Sequence, residues 1–185
     1  MFLYIKYNII IFLLTAVFLA MLSGCNRIQY SSSEPATNSV SHSANDFEMR
    51  LFSDKQFYKT TDTISIWATL EYIGNNDAIT IWSGDPFMVF SITDGKDFNV
   101  HGFIHTVLMQ TILTKGEVYH FDYQKSGGWA ADAPDASFWE NFYAEKDLLL
   151  PPGEYTIILR GAFSLTENIV ESPSGLLCEL KIRVE

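Results

Sequence analysis

The sequence predicts a mainly β protein: a single Ig-like antiparallel β-sandwich with one short helix in an insertion. Three observations carry that expectation. Across residues 47–185, apolar and polar side chains alternate with period two in several short stretches. Turn-forming groups such as Gly74-Asn75-Asn76-Asp77, Asp94-Gly95 and Pro151-Pro152-Gly153 separate these stretches, at spacings of roughly ten residues. Only one stretch, about 135–146, repeats its apolar residues at helical spacing.

Taken in order, residues 47–52 form the first strand, with Phe47, Met49 and Leu51 on one face and Glu48 and Arg50 on the other. After a turn at 58–62, residues 63–73 give the clearest alternation. Ile64, Ile66, Ala68, Leu70 and Tyr72 oppose Thr63, Ser65, Trp67, Thr69 and Glu71, so one face is core and the other meets water. Residues 78–82 and 87–93 read as two strands broken at Ser83-Gly84-Asp85-Pro86, and Asp94-Gly95 marks a hairpin. Residues 98–100 and 106–113 follow. The second run is almost continuously apolar, but its length and β-branched content favour a strand over a helix, joined as a hairpin through Thr114-Lys115-Gly116-Glu117 to 118–123. There Tyr119, Phe121 and Tyr123 share a face.

Residues 124–150 interrupt this rhythm as an insertion that contains the helix. Phe138, Trp139, Phe142 and Tyr143 form one stripe, opposed by Glu140, Asn141 and Glu145. Residues 154–163 and 176–184 complete the sandwich. Cys178 shares the apolar face of the last strand with Leu176, Leu180, Ile182 and Val184.

Ahead of the domain, residues 26–46 are rich in Ser, Asn, Thr and Ala and poor in large apolar side chains, too few to offset the entropy of ordering. They are expected to form a flexible tether. Lys6 gives a short basic start, residues 9–22 are apolar apart from Thr15, and Leu22-Ser23-Gly24-Cys25 ends the run in small residues and a cysteine. This pattern resembles the lipobox of bacterial lipoproteins, where the cysteine thiol is acylated and the preceding peptide bond is cut. The resemblance implies a signal peptide at 1–24, a lipid on Cys25, a tether at 25–46 and a domain at 47–185 held on the extracytoplasmic side of the cell membrane. An uncleaved anchor is the other reading, although the apolar run is shorter than the roughly 20 residues that span a bilayer.

Without the leader about 160 residues remain, a length suited to one domain with a real core. The chain has 12 basic and 22 acidic side chains and a formal charge of −10. With no basic stripe, such a surface repels phosphate backbones and excludes a nucleic-acid partner; the acidity reads as solubility. If Cys25 carries lipid, Cys178 has no partner for an internal disulfide and is an inert core thiol.

The strand and turn layout resembles the Ig-like domain of the intracellular proteinase inhibitor family BsuPI. The residues that carry the resemblance are Gln56-Phe57-Tyr58 ahead of strand 63–70, the segment 87–95 ending in Asp94-Gly95, the turn Thr114-Lys115-Gly116-Glu117, and Pro152-Gly153-Glu154-Tyr155-Thr156. It covers most of 47–185 and implies the same sandwich. Lys115 replaces the family's usual proline, and the insertion at 124–150 is extra. No inhibitory residue transfers, and an exported lipoprotein does not suit an intracellular inhibitor.

The motifs of catalysis are missing. There is no Gly-x-Ser-x-Gly elbow, His-Glu-x-x-His helix, Cys-x-x-Cys pair or phosphate-binding glycine loop. His42 falls in the tether, His101 and His105 flank the loop at Gly102-Phe103, and His120 with Asp122 reads as a solvated pair. Asp94-Gly95-Lys96-Asp97 offers two oxygen ligands but lacks the remaining positions of a calcium loop. No pair among the many carboxylates stands out as a glycosidase site. The expectation is therefore no catalytic residue, no metal and no cofactor.

One constellation invites a role. The insertion gathers Trp129, Phe138, Trp139, Phe142 and Tyr143 beside Asp132, Asp135, Glu140 and Glu145. Trp129, Trp139, Tyr143 and Trp67 are the candidate binding residues, because flat amphipathic rings suit a protein, peptide or glycan ligand. In the competing reading the stripe is a satellite core over an open end of the sandwich, with Trp67 beneath it. Phe138 and Phe142 are expected to point inward, and Trp129, after Gly127-Gly128, to be the more exposed of the two insertion tryptophans. The functional expectation is a membrane-anchored extracytoplasmic lipoprotein that serves as a binding module of the cell envelope. A hydrolase with a carboxylate site and a purely structural envelope protein are the alternatives.

Overall fold

The computed structural model describes residues 37–185; the lipobox with Cys25, the signal peptide and the first part of the expected tether lie outside the described residues. Among the described residues the strands are β1 (Asn38–Ala44), β2 (Phe47–Ser53), β3 (Phe57–Tyr58), β4 (Ile66–Tyr72), β5 (Ala78–Thr93), β6 (Asn99–His101), β7 (His105–Thr114), β8 (Val118–Asp122), β9 (Gly153–Ser164) and β10 (Leu177–Val184), with one helix, α1 (Ala136–Ala144), between β8 and β9. One sheet has the order β1-β2-β4-β8; the other has the order β3-β10-β9-β5-β6, with β7 also paired to β5. The pairing is antiparallel except between β10 and the two-residue β3. This is the mainly β sandwich that the alternation predicts.

Register explains why the alternation is so clean. In the first sheet Phe47, Met49 and Leu51 stand opposite Tyr72, Leu70 and Ala68, and all six are buried. In the second, Tyr155, Ile157 and Leu159 stand opposite Ile182, Leu180 and Cys178, again all buried. A slip of one residue would turn either set to water. The two inner faces meet where Phe47 packs edge-on against Phe163, with ring centroids 5.1 Å apart. Cys178 lies in this layer, and burial pushes its thiol up to about 11, which keeps it protonated and unreactive at neutral pH.

Four local expectations are corrected. Residues expected in the tether form β1, an edge strand paired along its whole length with β2. Its polar side chains are anchored across the sandwich: Asn38 Nδ2 donates to the Lys181 carbonyl at 3.1 Å, and His42 Nδ1 accepts from the Leu177 N–H at 3.1 Å. Asn45 and Asp46, both at positive φ, make the two-residue turn into β2. The expected break at 83–86 is instead a bulge within the 16-residue β5, where the pairing with β9 jumps between Ser83 and Met88. Pro86 is tolerated there because a bulged residue needs no ladder N–H.

The run 105–114 is a strand as expected, but the turn at 114–117 is not a hairpin. It carries the chain from β7 in one sheet to β8 in the other. Gly116, at φ 73°, donates its N–H to the Tyr72 carbonyl at 3.0 Å, so the sheet change is pinned to the end of β4. Finally, Phe138 does not point inward; it is 40 % exposed.

Candidate functional site

The insertion is fastened to the sandwich by aromatic packing. Phe98, just after the Asp94-Gly95 hairpin, is buried and lies 5.4, 5.6 and 5.3 Å from the rings of Trp139, Phe142 and Tyr155. Trp139 is half-buried, and its Nε1–H donates to Asp135 Oδ2 at 2.7 Å. Phe138 stacks on Phe142 at the outer rim of this cluster and therefore stays partly open. Phe98, itself packed on Tyr155, rather than Trp67, is the ring that α1 covers. Phe142 and Trp139 thus make a satellite core, as the competing reading of the stripe expects.

The attachment leaves a groove of about 500 Å³ between α1 and the first sheet. Trp67, Asp122, Tyr123, Lys125, Tyr143 and Asp147 are among its lining residues. Trp67 stands on the outer face of β4, opposite Phe52 on one side and Asp122 on the other. Phe52 stacks on it, centroids 5.4 Å apart and planes 6° from parallel. Across the groove, Tyr143 is backed in the same way by Trp129, at 5.7 Å and 12°. Gly127, at φ 135°, lets the chain pass Tyr143; a Cβ there would fall 2.5 Å from the Tyr143 hydroxyl. Of the four sequence candidates, then, Trp67 and Tyr143 line the groove, Trp129 buttresses Tyr143 and is itself 42 % exposed, and Trp139 belongs to the satellite core.

The floor and polar rim were not legible in the sequence. Tyr123 reads there only as one of three aromatic residues that share a strand face, yet its hydroxyl is buried with no hydrogen-bond partner among the described residues. Burial, with a smaller contribution from Tyr143, holds that phenol well above the ordinary tyrosine range. Lys125 carries no sequence signal at all. Its Nζ donates to the carbonyls of Phe142 and Glu145 at 2.8 and 2.7 Å and sits 4.5 Å from the centroid of the Phe142 ring. It closes the C-terminal end of α1, where carbonyls lack partners and a positive charge is favoured. Burial lowers its pKa, partly countered by Glu145 and Asp147. Opposite, Thr63 Oγ1 donates to Asp147 Oδ2 at 3.2 Å, and Ile64 N–H donates to the Leu148 carbonyl at 3.0 Å, fixing the chain that leaves α1 to the start of β4.

This arrangement suits recognition: two braced aromatic rings with carboxylate, ammonium and hydroxyl groups between them. His120 Nε2 and Asp122 Oδ1 are 2.9 Å apart, but both side chains are more than half exposed, which makes them a solvated pair of small energetic weight. Among the described residues, no group of three or more His, Cys, Asp or Glu side chains is placed to hold a metal ion. Also among them, no helix is long and apolar enough to cross a membrane.

No family model matches the sequence, and no curated protein matches it. Among solved structures the chain is similar to the β-glucosidase EmGH1 of Erythrobacter marinus, with 15 % identity and a TM-score of 0.36. That match covers 80 % of this chain but 16 % of the enzyme, and a likeness at this level carries no argument about activity.

Proposed function

We propose that this chain is a lipid-anchored, extracytoplasmic lipoprotein whose sandwich binds an uncharged glycan of the cell envelope in the groove beside α1, without catalysing a reaction. The observation that carries the reading is the pair of braced rings, Trp67 on Phe52 and Tyr143 on Trp129, lining one groove with polar side chains between them. A pyranose ring offers C–H faces that pack on such rings and hydroxyls that bond to carboxylate, ammonium and phenol groups. Asp122, Glu145 and Asp147 outnumber the lysines of the groove, and the chain carries a net charge of −10, so anionic polymers are disfavoured.

The ligand half is tested by tryptophan fluorescence, titrating the 37–185 domain with soluble N-acetylglucosamine oligosaccharides. Saturable quenching without release of new reducing ends supports the reading. Turnover would favour a hydrolase, and no binding or turnover across a panel of neutral envelope glycans would favour a structural role. The anchor half rests on Leu22-Ser23-Gly24-Cys25. Mass spectrometry of the membrane-extracted chain should find acyl groups on an N-terminal Cys25, and Cys25→Ser should leave the membrane fraction. Unchanged membrane association of the variant, with no acyl mass on the native chain, overturns the anchor.

A further inference from the structure

Most sheet edges among the described residues are guarded. β1 is made of Asn, Ser and His around two inward-packed apolar residues, Val40 and Ala44, β3 and β6 are two and three residues long, and β8 displays the His120–Asp122 pair. Short, polar or charged edges are how sheets avoid pairing with other chains. β7 breaks the rule. It runs for ten residues with no Lys, Arg, Asp or Glu, it pairs with β5 along one side, and along the other it pairs with no strand among the described residues.

Its side chains are open as well. Register with β5 places Leu113, Thr111 and Met109 on the same face as Ile79, Ile81 and Ser83, while Ile112 and Gln110 share the opposite face with Thr80 and Trp82. Leu113 is buried, but Val107, Leu108, Met109 and Ile112 are 53, 57, 44 and 68 % exposed. By the alternation of a strand, Val107 and Met109 lie on one face and Leu108 and Ile112 on the other.

We infer that β7 is a homotypic interface, through which two copies of this chain pair antiparallel about a two-fold axis and join their β5-containing sheets into one. The strand that fits beside β7 must bring apolar side chains on both faces, because cross-strand neighbours meet face by face, and it must bring no charge to an edge that offers none in return. β7 is itself such a strand, and two-fold pairing sets it against its own copy. Elsewhere two copies repel, since the chain carries a net charge of −10; the uncharged edge is where they approach at least cost. The four half-open side chains amount to apolar surface on the order of 400 Å² per copy. The complex therefore belongs at the low end of specific interfaces, below about 1,200 Å² in total, and forms reversibly. Screening the acidic surfaces with salt tightens it.

The test is thiol cross-linking of the purified full chain in mild detergent, with the unmodified chain, which already holds Cys25 and Cys178, as the baseline. Gln110→Cys on β7 should give at least about threefold more cross-linked dimer than the baseline or Ser39→Cys on β1, with the yield rising between roughly 50 and 500 mM salt. Adding Ile112→Lys, or Leu108→Lys as a second exposed site, should return the yield to the baseline with the melting temperature unchanged. The inference is overturned if Gln110→Cys gives no excess, if the excess falls with salt, or if both lysine variants leave it intact. An adduct of Gln110→Cys to a different protein in envelope membranes, in place of the double-mass species, overturns it equally.

Discussion

Phe98→Ala is expected to destabilise the 37–185 domain by about 3 to 5 kcal/mol, the range for removing a large buried aromatic side chain. Phe98 is buried, and Trp139, Phe142 and Tyr155 all pack on it within 5.6 Å. Its position is fixed from below by the hairpin, where Asp94 Oδ1 accepts the N–H groups of Lys96 and Phe98 at 2.8 and 3.0 Å. Neighbouring rings cannot refill the space without leaving Tyr155, so most of the cavity persists. A nine-residue helix is too short to hold itself together in water, so α1 should lose its amide protection in the variant before the sheets do. Chemical denaturation gives the first quantity and hydrogen exchange the second. A loss below about 1 kcal/mol, more typical of an exposed site, would mean that Phe98 is not the seat of the insertion.

Lys125→Met should cost about 1.5 to 3 kcal/mol, the scale of hydrogen bonds made by a charged group. The methionine keeps the apolar stem against Phe142 but removes both bonds from Nζ to the carbonyls of Phe142 and Glu145. Those carbonyls close α1, and Phe142 beside them is its buried residue. Lys125→Arg, which retains charge and donors, should recover part of the loss. Equal stability of the methionine variant in denaturant titrations would show that water serves those carbonyls as well as the ammonium does.

The strands with one buried face were legible because burial imposes a period that the sequence must obey. β2, β4, β9 and β10 are such strands, and Cys178 falls on the face that the alternation assigns it. β1 was not legible, because Val40 and Ala44 are the two inward apolar side chains among its seven residues, and its order comes largely from β2 and from bonds across to Lys181 and Leu177. The Asn45-Asp46 turn was the available signal. The change of sheet at Gly116 was equally hidden, since a tight turn looks the same whether its flanking strands pair or part. In the groove, the aromatic residues could be named from the sequence but not their grouping. Trp67 and Tyr143 meet there only through the path of the insertion, and Trp139, on the same helix, is turned to Phe98 instead.

The most direct measurement of the central claim, that the groove beside α1 is the ligand site, is an amide chemical-shift titration of the 37–185 domain with the neutral oligosaccharide that quenches its fluorescence. Saturable shifts are expected, concentrated at Thr63, Ser65, Trp67, Asp122, Lys125, Tyr143 and Asp147. Trp67→Ala should weaken the titration by roughly tenfold or more, equivalent to at least about 1.4 kcal/mol. Shifts centred on β1, on β7 or on the loop between β9 and β10, or an affinity unchanged by Trp67→Ala and by Tyr143→Ala, would contradict it.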